Sequence, residues 1–150
     1  KLGLLSPEQW EAYTSDRRVV RNWQKIGALR DNVFFVQETA REQGSFGKFM
    51  ANWPASDQIG LMAYLKKHGS RLGGNSAMYF LRRVGKDGFL LSKDVAVTLK
   101  STGLDIAERP SSKRDLKKVQ DQFNQCHEET SLPFSHLSRI AACSVGENFL

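Results

Sequence analysis

Cysteine is scarce in this chain of 150 residues, which contains two, Cys126 and Cys143. Two thiols cannot build the disulfide framework of a small secreted domain, and they fit a reducing compartment. The sequence also has no apolar run of the length that crosses a bilayer, and we identify no signal peptide. We therefore expect a cytoplasmic protein that has no membrane partner.

Runs that alternate between apolar and polar residues over the length of a strand are also missing, as are internal repeats and low-complexity linkers. Apolar residues instead recur at steps of three and four, the period of a helix buried on one side. With 40% hydrophobic and 25% charged residues, the chain can fill one core. The sequence predicts an all-α bundle of about eight short helices in a single domain, residues 1–150. Because the chain begins at Lys1 in mid-pattern, we expect it to lack an N-terminal segment of a longer protein.

Serine and aspartate residues mark most of the predicted helix starts. Ser6, followed by Pro7 and Gln9, has the pattern of a capping box. The later helices are expected to start at Ser56 or Asp57, near Ser76, behind Ser92, at Ser112 and after Leu132-Pro133.

The longest helix is expected to start at Asp16 and to end at Gly44. Its apolar residues predict one buried stripe, formed by Val19, Trp23, Ile26, Leu29, Val33, Val36 and Ala40. Arg17, Arg21 and Lys25 are spaced four apart and are predicted to share another face. The net charge of +6 favours an anionic partner. A solvated basic face without a partner is the alternative.

A glycine-rich stretch between two predicted helices is the most informative part of the sequence. Gly69, Gly73 and Gly74 allow a tight turn that a partner can approach closely. The helix that follows begins with N–H groups that have no acceptor inside the helix, and these groups and the helix dipole favour a phosphate. Basic residues flank the turn on both sides: Lys66, Lys67, Arg82 and Arg83.

This stretch resembles the helix–hairpin–helix and catalytic-aspartate segment of the base-excision DNA glycosylases. The hairpin of that superfamily typically reads Leu-Pro-Gly-Val-Gly-x-x-Thr-Ala, and here Leu72-Gly73-Gly74-Asn75-Ser76-Ala77 stands in its place. The superfamily's aspartate follows the second hairpin helix and a short loop, where this chain has Asp94. Residues 17–53 and the Lys66-Lys67-His68-Gly69 approach are most similar to the 3-methyladenine DNA glycosylases.

The resemblance implies a monofunctional glycosylase that flips an alkylated purine, such as 3-methyladenine, out of damaged double-stranded DNA and hydrolyses its N-glycosidic bond. It implies that Asp94 is the catalytic carboxylate, which stabilises an oxocarbenium-like sugar. Bifunctional members carry a hairpin lysine where this chain has Asn75, so Schiff-base chemistry is not implied. The expected DNA-binding residues are Gly69, Leu72, Gly73, Gly74, Asn75, Ser76, Arg21, Lys25 and Lys93.

The same resemblance implies a monomer that requires no cofactor, with room for a monovalent cation among the hairpin carbonyls. We expect no metal site, because the spacing of the candidate ligands is irregular. Those candidates are Cys126, His127, His136 and Cys143. Buried thiols and ordinary histidines are the simpler interpretation.

Other interpretations of the acidic residues remain open. Asp94 also fits a plain residue at a helix start, in a helix–hairpin–helix module that binds DNA or recognises lesions without catalysis. Members similar to the type I methyladenine glycosylases lack this aspartate, and their catalytic residues would precede Lys1. A general all-α interaction domain would explain the helices but not the glycines. Asp87 is the other candidate for the catalytic carboxylate, and it is predicted to be a turn former.

Overall fold

A computed structural model describes residues 1–145 of the chain. In this part of the chain there are eight α-helices, two short 3-10 turns and no strand, so the predicted all-α bundle is confirmed. The helices are α1 Pro7–Ala12, α2 Trp23–Gln43, α3 Phe46–Asn52, α4 Gln58–His68, α5 Asn75–Arg83, α6 Lys93–Ser101, α7 Lys113–Thr130 and α8 Phe134–Cys143. The 3-10 turns are Leu2–Leu4 and Ala55–Asp57. Within the same residues, no helix combines the length and the apolar character needed to span a bilayer.

Side-chain caps define most helix starts, as the sequence predicts. Ser6 and Gln9 form the capping box. The Ser6 side chain accepts from the Gln9 N–H group, and the Gln9 side-chain oxygen accepts from the Ser6 N–H group. Ser92 and Ser112 accept the N–H group three residues ahead at 3.2 and 3.0 Å. Of the two predicted caps for α4, the structure selects Asp57, which accepts from the Gly60 N–H group. Each cap satisfies a donor that the first helical turn leaves free.

One hydrophobic core contains residues from each of the seven helices α2 to α8. Leu61 and Leu65 of α4 and Val119 of α7 are completely buried, and the rings of Phe89 and Phe123 stack with centroids 4.6 Å apart. α4 therefore lies at the centre of the bundle, and the segment before α6 is packed on α7.

The predicted start of the longest helix is wrong. The helix begins at Trp23, because the Asn22 side chain accepts from the Lys25 N–H group and caps it. Asp16 instead binds its neighbour Arg18 through the backbone N–H group and the guanidinium. These hydrogen bonds lower the pKa of Asp16 to about 2. Residues 16–22 are therefore a separate irregular segment.

The predicted buried stripe of this helix is correct at Ile26, which is 6% exposed, and wrong at Trp23 and Leu29. Trp23 is 53% exposed and Leu29 is 49% exposed, whereas Phe35 is 7% exposed and Thr39 is 2% exposed. The residues that α2 buries are Ile26, Ala28, Phe35 and Thr39. α2 carries apolar residues on more than one face, so the periodic pattern does not decide which face of the helix is buried. Packing against α3 and the rest of the core decides it. Ile140 of α8 is likewise 54% exposed.

Candidate nucleic-acid interface

The turn between α4 and α5 is called here the glycine loop, residues 69–74. Gly69 ends α4 by donating its N–H group to the Leu65 carbonyl at 2.8 Å. A Cβ atom at Gly69 would lie 2.6 Å from the Leu72 side chain and 2.8 Å from that carbonyl, so only glycine fits. Gly74 has φ +54°, and a Cβ atom there would meet nothing within 4 Å. The loop is therefore tightly packed where it leaves α4 and open to a partner where it enters α5.

The start of α5 holds a set of unused donors. The N–H groups of Ser76 and Ala77 donate to the carbonyls of Gly73 and Gly74 at 3.2 and 3.1 Å. Five earlier N–H groups have no acceptor within the described residues 1–145, those of Arg71, Leu72, Gly73, Gly74 and Asn75. Unpartnered N–H groups at a helix N-terminus are the usual seat of an anion. Of the six residues expected to present N–H groups, Gly69 and Ser76 already use theirs inside the chain.

Asn32 of α2 holds the glycine loop in place. Its side-chain oxygen accepts from the Ser70 N–H group at 2.7 Å, and its side-chain nitrogen donates to the Ser70 carbonyl at 2.9 Å. Asn32 is not among the site residues predicted from the sequence. The available signal was a polar residue four positions after Ala28 and three before Phe35, on the face that α2 buries.

Exposed basic side chains lie before, in and after the loop, although the last two are at the far end of α5. They are Lys66 and Lys67 in the last turn of α4, Arg71 in the loop, and Arg82 and Arg83 in the last turn of α5. His68, expected near a phosphate or at the surface, is exposed and stacks on Tyr64 with ring centroids 4.3 Å apart. Lys66, Lys67 and Arg71 therefore place positive charge in the loop and in the helix turn that leads to it, which favours an anionic partner.

Asp94 lies in the first turn of α6 and is partly buried, with Lys93 beside it exposed. The segment that leads to it is fixed by Gln58, which exchanges two 2.8 Å hydrogen bonds with the Phe89 backbone. The Leu91 N–H group points at the Met78 sulfur atom, 3.3 Å away. Gln58 therefore ties the segment before α6 to the start of α4, and Met78 ties it to α5, so the starts of α5 and α6 are neighbours.

A small recess separates these two helix starts. Its lining residues are Asn75, Met78, Tyr79, Leu90, Leu91 and Ser92, and its volume is about 20 Å³. A cavity of roughly 10–15 Å³ holds one water molecule, so this recess has room for about one and does not hold a purine.

Asp87 has a different role from the predicted one. Its two carboxylate oxygens accept hydrogen bonds from the N–H groups of Phe134 and Ser135 at 2.9 Å each. Asp87 therefore caps the start of α8, although it is 47 positions away from Phe134 in the sequence. Partial burial raises the pKa of this carboxyl, but the hydrogen bonds from Ser135, Phe134 and Gly88 outweigh it and the pKa is lowered. Lys86 donates to the carbonyls of Ala51 and Trp53 at the end of α3.

Arg21 and Lys25 do not share a helical face, contrary to the prediction. Arg21 precedes α2, and Lys25 lies in its first turn; both side chains are exposed. Within residues 1–145, no three His, Cys, Asp or Glu side chains are grouped so as to hold a metal ion. The monovalent cation at the hairpin carbonyls stays a prediction.

No protein-family model, curated protein or solved structure matches this chain. Its function must therefore be argued from the geometry of the glycine loop and of α6.

Proposed function

We propose that this chain binds damaged double-stranded DNA through the glycine loop and belongs to a monofunctional DNA glycosylase that excises alkylated purines such as 3-methyladenine. The observation that carries the proposal is the set of unused N–H groups in the glycine loop and at the first residue of α5, near the start of α6, whose first turn contains Asp94. An anion seat and a carboxylate close together are what a nucleic-acid hydrolase of this type needs.

The glycine loop supplies affinity without sequence specificity. A phosphate oxygen accepts from the N–H groups of Gly73, Gly74 and Asn75, and the surrounding lysines and arginines add charge. Because such contacts go to the backbone of DNA, they fix the register of the protein and leave the choice of base to other residues. Exposed Arg21 and Lys25 contribute additional positive charge.

The chemistry of excision is simple for a base that already carries positive charge. The bond between the sugar C1′ atom and the base breaks, its electron pair leaves with the base, and water adds to the sugar. The Asp94 carboxylate stabilises the oxocarbenium-like sugar and accepts a proton from the water. The damaged nucleotide first has to leave the base stack.

A second candidate function is a DNA-binding or lesion-recognition module without catalysis. The specific observation in its favour is the recess between Asn75 and Ser92, about 20 Å³ in volume. Ligand sites for drug-sized molecules measure roughly 300–1,000 Å³. In this case the glycine loop binds DNA in the same way and Asp94 is only the acidic residue that the N-terminus of α6 favours.

Single-turnover release of 3-methyladenine from duplex DNA tests the proposal, measured beside affinity for a duplex that contains an abasic-site analogue. Asp94→Asn is expected to slow release about 100-fold or more, in the range for loss of a fixed electrostatic stabiliser. Binding should persist. Asp115→Asn, which changes another first-turn aspartate, is the matched control and should release the base at the parent rate.

Two results would contradict parts of the proposal. Equal release by the parent and by Asp94→Asn would remove Asp94 from the mechanism. Tight binding by both proteins with no release by either would assign the chain to the non-catalytic module.

A further inference from the structure

The outer face of α6 carries two lysines with an apolar residue between them. Lys93, Val97 and Lys100 are separated by steps of four and three, so they share one side of the helix. Both lysines are exposed, and Val97 is 44% exposed. With a rise of about 1.5 Å per residue, the two lysines start about 10 Å apart along the helix axis.

These three residues form one wall of an open groove. Its volume is about 430 Å³, and Glu108 lines it from the loop that follows α6. Buried Ile106 anchors that loop in the core, and Lys118 binds Asp105 at 2.7 Å. The second wall is therefore held by the core and by α7.

The charges in the groove are not used inside the described part of the chain. Lys93 and Lys100 make no ion pair in residues 1–145, even though Glu108 lines the same groove. Two lysines against one carboxylate leave a net positive groove. Such a groove attracts a negatively charged ligand.

The groove and the recess between the starts of α5 and α6 are lined by residues that are adjacent in the sequence. The recess between the starts of α5 and α6 runs from Asn75 past Tyr79 to Ser92, and the groove begins at the next residue, Lys93. Tyr79, at the edge of the recess, is 55% exposed.

We propose that the α6 groove is a second phosphate site for the bound DNA, in which Lys93 and Lys100 contact the backbone beyond the phosphate held by the glycine loop. The inference rests on the proposed function for its partner, DNA, but not on catalysis by Asp94. The apolar Val97 between the lysines contacts the sugar edge of the strand. Glu108 weakens the site, because its carboxylate repels phosphate.

The proposed phosphate site predicts opposite effects on DNA affinity for removing the lysines and for removing the charge of Glu108. Replacing both lysines, Lys93→Ala with Lys100→Ala, should weaken binding about tenfold and flatten the log–log salt slope by roughly 0.9 per lost phosphate contact. Glu108→Gln should tighten binding. The measurement is the dissociation constant for a short duplex with an abasic-site analogue, taken over a salt series.

A double variant with the same loss of charge serves as the control. Arg41→Ala with Lys117→Ala removes two exposed positive charges that are paired with Glu38 and Asp121. If only net charge matters, both double variants should lose the same DNA affinity. If the lysines of α6 contact phosphate, only the α6 double variant should lose affinity. Unfolding midpoints near that of the parent show that each variant is folded.

The outcomes separate the two proposals. If the parent binds DNA and Gly73→Asp weakens it, but the α6 variants match the control, the second phosphate site is wrong and the glycine loop stands. If Glu108→Gln leaves affinity unchanged, no phosphate lies in the groove. If the parent fails to bind the duplex at low salt, both proposals are wrong.

Discussion

Asn32 binds both backbone groups of Ser70, accepting from its N–H group at 2.7 Å and donating to its carbonyl at 2.9 Å. The two residues are 38 positions apart in the sequence. The pair connects α2 to the glycine loop, the region where the unused N–H groups lie. The shape of the loop therefore depends on the longest helix of the fold as well as on its own glycines.

Asn32→Ala should destabilise the fold and loosen the loop. It leaves two partly buried backbone groups of Ser70 without a partner, which costs about 1–3 kcal/mol for such groups. We expect a lower midpoint in urea unfolding and weaker binding to every DNA sequence. Asn22→Ala is the control, because it removes a cap worth about 1 kcal/mol without touching the loop. Equal DNA affinity in the two variants would show that Asn32 does not position the binding surface.

The sequence predicts the parts of this fold that depend on neighbouring residues. The caps Ser6, Ser92 and Ser112 bind N–H groups three positions ahead, so local pattern is enough to find them. Asn32 and Asp87 have partners 38 and 47 positions away. Only the packed fold brings these groups together, so no local pattern predicts their roles.

Charge at the glycine loop should control DNA binding. A Cβ atom at Gly73 would lie 3.4 Å from the Lys66 side chain, an ordinary contact, so a side chain fits at this position. Gly73→Asp and Gly73→Asn add side chains of the same size that differ in charge. The aspartate should weaken binding far more at low salt, because it repels phosphate, and the difference should shrink as salt screens it. If the two variants bind alike at every salt concentration, phosphate does not lie at this loop.

Phe34 and Phe35 should respond very differently to the same substitution. Phe35 is 7% exposed and Phe34 is 55% exposed. Phe35→Ala opens a cavity in the core, and the free energy of unfolding should fall by about 3–5 kcal/mol. Phe34→Ala should change it by no more than about 0.5 kcal/mol. Chemical denaturation of both variants measures this contrast, and equal losses would place the buried face of α2 elsewhere.

Asp87 should make the stability of the fold depend on pH in the acid range. Its pKa is lowered in the folded state from an ordinary value of 3.8, because the α8 N–H groups of Phe134 and Ser135 bind the ionised form despite partial burial. For a lowered pKa, the unfolded state binds the proton more readily, so acid favours unfolding. The stabilisation by this carboxylate is therefore fully present above the unfolded value and is lost as pH falls through the lower, folded value.

Asp87→Asn removes that dependence. At neutral pH the variant should lose about 0.5–2 kcal/mol of unfolding free energy, the range for a lost cap. The gap between parent and variant should stay constant down to about pH 5 and shrink below about pH 4, since the parent then loses its charge as well. Asp105→Asn is the control: its exposed carboxyl also has a lowered pKa, through a hydrogen bond and charge from Lys118. Salt should screen the effect at Asp105 and leave the effect at Asp87 largely unchanged. Parallel stability curves for the parent and Asp87→Asn from pH 7 to pH 2.5 would show that this carboxylate does not cap α8 in its ionised form.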